Sequence, residues 1–269
     1  MSGSFPVRAE VARQLRRRRT QLTFAFLLVL PFLLLAAFEF GSSSSGSPLL
    51  VDLATRGSAN FTVFGLFAAS GFLFGVVVAL FTGDTVPSEA SWSSLRYLLA
   101  AGIPRARLLT RKLVVAALTS LVALAVLPAV SVVVGGIAFG WGPFVSPDGS
   151  TLGWSTLWWR LLLVLAYVAV SLLPITAIAA WFGVWTDAPL GAVGGAVLIS
   201  ILSSILDSIT ALGRVRQALP THFAYAWFDL LSTTVTWDQV ARGSVYAAMW
   251  AAVVLAAAYR HFLAKDILS

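Results

Sequence analysis

Residues 158–207 read WWRLLLVLAYVAVSLLPITAIAAWFGVWTDAPLGAVGGAVLISILSSILD. Residues 158–184 and 190–207 are apolar runs close to or above the ~20 residues that a helix needs to cross a bilayer. Only a tight turn around Thr186, Asp187, Ala188 and Pro189 divides them. A carboxylate followed by a proline stops a helical pattern, so the stretch predicts two antiparallel spans rather than one long helix. Four further runs have the same character: residues 22–40, 59–81, 113–139 and 244–262. The expected fold is all-α. It is a polytopic membrane protein with six transmembrane helices, forming a single transmembrane domain over residues 1–269.

The composition agrees. Of 269 residues, 59% are hydrophobic and 11% are charged, and the mean hydropathy is +0.90. Soluble domains run near 25% charged, so an ordinary soluble enzyme and a disordered chain are both excluded. The chain has no cysteine and only two histidines, His222 and His261. Disulfides and thiolate metal sites are excluded, and no metal centre is expected.

The net charge of +7 also fits nucleic-acid binders, and the distribution decides against them. Cations gather at Arg8, Arg13 and Arg16 to Arg19, and again at Arg96, Arg105, Arg107, Arg111 and Lys112, each cluster followed by a long apolar run. Such clusters stay on the cytoplasmic side of a membrane. Placing both termini inside leaves only Arg56, Arg160, Arg214, Arg216 and Arg242 outside. The expected location is the cell inner membrane. The basic head and first apolar run also resemble a secretory leader. That run is long, and no small-x-small cleavage site precedes Glu39, so a retained first span is expected.

Three segments are expected not to cross. In residues 1–21, Val7, Val11 and Leu15 share one helical face and arginines cover the rest. That pattern predicts an amphipathic helix lying on an anionic inner leaflet, or else a plain stop-transfer cluster. Gly41 to Ser47 reads as a Ser-rich outer linker. The outer segment 208–242 holds Leu219, Pro220, Trp237 and several other aromatics, and predicts short helices dipping into the outer interface.

The cytoplasmic loop of residues 82–112 is the most informative. Asp84 or Thr85 can cap a helix, Pro87 suits its first turn, and Glu89 sits at its positive end. Trp92, Leu95 and Leu99 then share a face, and Arg96 points elsewhere. Gly102 is a natural stop and Pro104 can open a basic helix leading into span three. An apolar helix face at the membrane surface suits docking to a partner, or to lipid alone.

At these residues the chain resembles the ABC-2 type transporter permease family. The resemblance rests on Asp84, Glu89, Leu95, Leu98, Leu99, Gly102, Arg105, Leu108 and Lys112. It extends to six spans, the basic amphipathic start and the closing Phe262-Leu263-Ala264-Lys265-Asp266-Ile267. Where family members carry Gly-Thr before the leucine, this chain has Ser93-Ser94. The resemblance implies a permease subunit of an ABC exporter whose loop is a coupling helix seated on a separate cytoplasmic ATPase. Two ATPase copies would work with this chain and a second permease copy or paralogue. The coupling role falls on Glu89, Trp92, Leu95, Arg96 and Leu99. The implied cargo is an amphipathic or lipophilic compound such as a drug, antibiotic, lipid or peptide. ATP and Mg would sit in the partner, and no cofactor in this chain. A phosphate cradle ends in Gly-Lys-Ser/Thr. Lys112 and Lys265 are followed by Leu113 and Asp266, so ATP hydrolysis is not expected here.

Inside the spans, Gly191 and Gly195 form a Gly-x-x-x-Gly pair, and Ser200, Ser203, Ser204 and Asp207 continue a small polar face. Such a face is a helix–helix seam within the chain, a dimer seam or a pathway lining. Ser70, Gly71 and Gly75 repeat the signal weakly. Glu39 and Asp207, near outer span ends, are expected to face protein or water. They either meet a cationic substrate or are capped by outer arginines such as Arg214. An intramembrane enzyme lacks its motifs here, with no Gly-x-Ser-x-Gly and no His-Glu-x-x-His. The alternatives to the permease are an ion- or proton-coupled carrier, or a membrane anchor without transport activity.

Overall fold

The structure is a computed structural model that describes residues 7–40, 49–88, 104–186 and 188–265. It is nearly all-α. The helices are α1 (Val7–Arg16), α2 (Arg18–Phe40), α3 (Leu49–Ala54), α4 (Ser58–Ser70), α5 (Leu73–Gly83) and α6 (Arg105–Phe139), then α7 (Trp154–Ser171), α8 (Leu173–Thr186), α9 (Pro189–Ser208) and α10 (Asp238–Ala264). A two-residue hairpin, β1 (Phe144–Val145) and β2 (Thr151–Leu152), precedes α7. Two 3-10 segments, Thr210–Ala218 and Ala226–Leu231, lie between α9 and α10.

Among the described residues, five helical stretches are long and apolar enough to cross a membrane: α2, α6, α7 with α8, α9 and α10. The pair α4 and α5 qualifies only as a bent unit, with 56° between its halves. The sequence reading ran straight through this bend. Ser70 and Gly71 are followed by Phe72 at φ −146° and ψ −51°, which leaves the helical region. Glycine–serine pairs are a recognised cause of sharp kinks. Here the Tyr225 hydroxyl from the outer segment lies where a side chain at Gly71 would go.

The turn between α8 and α9 falls where expected. Pro189 occupies the first turn of α9, where its missing N–H costs nothing. The Thr186 hydroxyl donates to the Phe182 carbonyl at 2.8 Å and seals the end of α8. Asp187 lies outside the described residues. Pro104 likewise opens α6, which runs 35 residues without a break, so the basic re-entry helix and the third span are one element. Gly140 ends it with φ 78°, a left-handed turn that glycine takes without strain.

Helix α8 is the hub, with α5, α9 and α10 packed around it, while α6 packs against α2 and α4. The core between them includes Phe74, Phe81, Leu127, Leu157, Ile175 and Trp227. Trp227 is wholly buried. Residues 208–242 are therefore packed into the bundle. They hold two short 3-10 segments, the second of which turns Trp227, Leu230 and Leu231 inward, and Phe223 in the turn before it is buried as well. Arg160 holds the second segment there by donating to the carbonyls of Leu230, at 3.0 Å, and of Ser232. Close packing also needs Gly243 of α10. A Cβ there would overlap the Tyr167 hydroxyl, which donates to the Phe223 carbonyl at 2.8 Å.

Tryptophans mark both ends of the bundle. Trp141, Trp154 and Trp158 cluster beside the hairpin. Trp181 stacks on Trp185 at 5.9 Å near the end of α8. Exposed indoles at helix ends suit the two membrane–water interfaces.

Candidate functional site

The charged end of the bundle is built from α1, the end of α5 and the start of α6. Helix α1 carries Glu10 and Gln14 on one face, and these two side chains are buried at 6% and 4% exposure. Leu15 is 46% exposed. The short polar face of this helix meets the protein and Leu15 is left outside. The reason is Lys112. Its ammonium is 2% exposed on α6 and lies 3.3 Å from the Glu10 carboxylate. Glu10 also pairs with Arg13 one turn on. Burial pushes the Glu10 carboxyl up, but Lys112 and Arg13 outweigh it and hold it below the ordinary carboxylate range.

A second knot lies alongside. Asp84 accepts from Arg17 at 2.9 Å and from Arg19 at 2.8 Å, one arginine on each oxygen. The Thr85 hydroxyl turns back to the Thr82 carbonyl at 2.7 Å, and the helix expected after these two residues lies, beyond Ser88, outside the described residues. Helical backbone restarts at Pro87 with the Ser88 amide bonded to the Asp84 carbonyl at 3.3 Å. Burial raises the Asp84 carboxyl above the usual range even against the two arginines.

A third tie joins the far end of the chain. Arg105 donates to the carbonyls of Leu263 and Lys265, at 3.1 and 2.7 Å, and Lys265 donates to the Val184 carbonyl at 2.8 Å. Val86, Leu109, Val184 and Phe262 form a small apolar cluster beneath. Of the residues singled out in the sequence, Asp84, Arg105 and Lys112 are therefore gathered on one platform. The platform brackets residues 89–103. Glu89, Trp92, Leu95, Arg96 and Leu99, the expected coupling residues, lie outside the described residues.

The polar face of α9 divides into two parts. Gly195 abuts the Phe182 ring on α8, and the exposed Gly191 lies beside Thr186 and Ala188 of the adjacent turn. Ser203 is buried and shares a 2.6 Å hydrogen bond with the Thr221 hydroxyl. Ser200, Ser204 and Asp207 line a cavity of about 130 Å³ with Ser70, Gly71 and Gly75 at the α4–α5 bend. Asp207 bonds His222 and approaches Arg216 at 3.4 Å. The arginine beside it is thus Arg216 rather than Arg214, and His222 is a half-buried partner. Sequence order hid this pair because the 3-10 segment, kinked at Gly213, decides which residue returns to α9. Among the described residues, no three His, Asp or Glu side chains gather as a metal site.

No curated protein matches the sequence. One family model does, described as a protein of unknown function, DUF2705, and it covers residues 34–267. Its match begins within α2 and takes in the α4–α5 bend, Asp84, the platform residues of α6, the cavity beside α9 and all of α10. The chain belongs to the DUF2705 family.

Proposed function

We propose that this chain is the transmembrane permease subunit of an ATP-driven ABC transporter, an exporter of amphipathic or lipophilic compounds, coupled to a separate cytoplasmic ATPase. The chain crosses the inner membrane six times, the bent α4–α5 pair counting as one crossing, with both termini inside. Two permease copies, or one and a paralogue, work with two ATPase copies.

One observation carries the reading. Both ends of the loop 89–103 are anchored in a rigid, charged platform: Asp84 by Arg17 and Arg19, Lys112 by Glu10, and Arg105 by the end of α10. A loop that only joins two spans needs no such bracing. A loop that transmits force does, because motion at its tip reaches α5 and α6 only if its roots do not yield. The concentration of cations at this end supports the cytoplasmic assignment. The absence of a phosphate-binding lysine motif from the sequence supports an external source of energy.

The test is uncoupling. Leu95→Asp and Trp92→Asp leave membrane insertion intact and separate ATP hydrolysis by the partner from transport in reconstituted vesicles. Wild-type transport in both variants removes the coupling assignment.

A further inference from the structure

A cavity lies at the opposite end of the bundle, between the start of α4, the hairpin and the 3-10 segment Ala226–Leu231. Its volume is about 360 Å³, within the range of small-molecule sites. Two features define its chemistry. Four phenylalanines, Phe64, Phe67, Phe144 and Phe228, contribute to the wall, and two carboxylates, Asp148 and Asp229, stand in the same lining. No lysine or arginine is among the lining residues.

The walls are held in place. The Asn60 side-chain amide donates to the Val145 carbonyl at 2.7 Å and accepts from the Val145 amide at 2.9 Å. This double bond imitates a strand partner and fastens the hairpin to α4. Asp148 accepts from the Ser150 amide at 3.0 Å and from its hydroxyl at 2.7 Å, which holds the carboxyl below its ordinary range and keeps it charged. Phe67 and Phe228 pack with ring centroids 5.7 Å apart. Asp229 is half-buried, and its carboxylate enters none of the ion pairs among the described residues.

We infer that this cavity binds an organic cation of the quaternary ammonium class. A partly desolvated carboxylate without a counter-ion, beside several aromatic faces, attracts a bulky cation whose charge is too diffuse to hold water tightly. Aromatic rings favour such cations through their negative faces. A hydrated metal ion would instead require oxygen ligands that converge, and phenylalanine offers none. The inference concerns the cavity alone and stands whether or not the chain is a permease subunit.

The test is calorimetric titration of the purified full chain in maltoside micelles, which carry no cationic headgroup. The probe is choline, compared with its uncharged isostere 3,3-dimethyl-1-butanol. Choline binds saturably and the isostere at least about tenfold more weakly, the ratio expected from one desolvated charge interaction. Asp229→Asn weakens choline about tenfold, and Phe67→Leu weakens it several-fold, with the circular dichroism spectrum unchanged in both. A matching titration in phosphatidylcholine nanodiscs separates a free solute from a lipid headgroup as the source. Competition there assigns the headgroup, and unchanged affinity assigns the solute. No choline binding in micelles overturns the inference, and so do equal affinities for choline and its isostere, or Asp229→Asn binding like the unaltered chain.

Discussion

Replacing Lys112 with methionine removes the ammonium and keeps most of the side-chain volume on α6. The pair it breaks is buried on both sides, with 2% exposure at Lys112 and 6% at Glu10. At the observed 3.3 Å, two unit charges attract by about 5 kcal/mol at an effective dielectric of ~20. Removing one partner of a buried pair commonly costs about 3–5 kcal/mol, because the other is left buried and charged. Arg13 remains beside Glu10 and still compensates part of its charge, so the cost falls to or just below the bottom of that range, about 2–3 kcal/mol. Undocking of α1 then becomes roughly 30- to 150-fold more frequent. The chain has no cysteine, so a single thiol reports it cleanly. Gln14→Cys places that thiol at a position with 4% exposure on the docked face. Maleimide labelling of this variant is slow, and adding Lys112→Met accelerates it by the stated factor. Further replacing Glu10 with leucine slows labelling again, since a pair removed whole leaves no orphaned charge. Labelling that Lys112→Met does not change refutes the argument that this ion pair holds α1 to the bundle.

The two platform carboxyls titrate with opposite sign. Glu10 is held below its ordinary range, so its contribution to docking is present above the unfolded carboxylate pKa of roughly 4. It is lost as pH falls through the lower folded value. A spin label on the exposed position Ala12 stays restricted from pH 7 to about 5 and gains mobility in acid below about 4. The raised carboxyl of Asp84 opposes this acid response, so Asp84→Asn makes the acid release of α1 steeper. At the other end of the bundle, Gly243→Ala forces a methyl into the Tyr167 hydroxyl and Phe223. Overpacking of this kind costs about 1–3 kcal/mol, and thermal unfolding in detergent falls by several degrees. An unchanged Tm would show that α10 can shift away freely.

Much of the fold is legible in the sequence because membrane spans are written as long apolar runs. The opening of α6 at Pro104 and the turn before Pro189 both follow from local chemistry. What local chemistry does not carry is the choice between faces. Val7, Val11 and Leu15 mark an apolar stripe on α1, yet the docked face is set by Lys112, about a hundred residues away in the chain. The bend at Gly71 had a local signal in Ser70-Gly71, and the tertiary cause, Tyr225, is far downstream. The hairpin is too short for strand periodicity, and only its turn, Ser146-Pro147-Asp148-Gly149, announces it. The carboxylates Asp148 and Asp229 look unrelated in sequence and meet only because Asn60 and Arg160 fasten their segments to the helices. Asp207 was legible as a residue needing a partner, and its partner was a matter of how the 3-10 segment returns.

The central claim is that this chain works with a separate ATPase. It is tested most directly by isolating the tagged protein from its own host in mild detergent and identifying stoichiometric partners by mass spectrometry. The account predicts a co-purifying soluble chain that carries a phosphate-loop Gly-Lys-Ser/Thr, present in equal number to this one. Recovery of this chain alone, folded and without an ATPase, would contradict it.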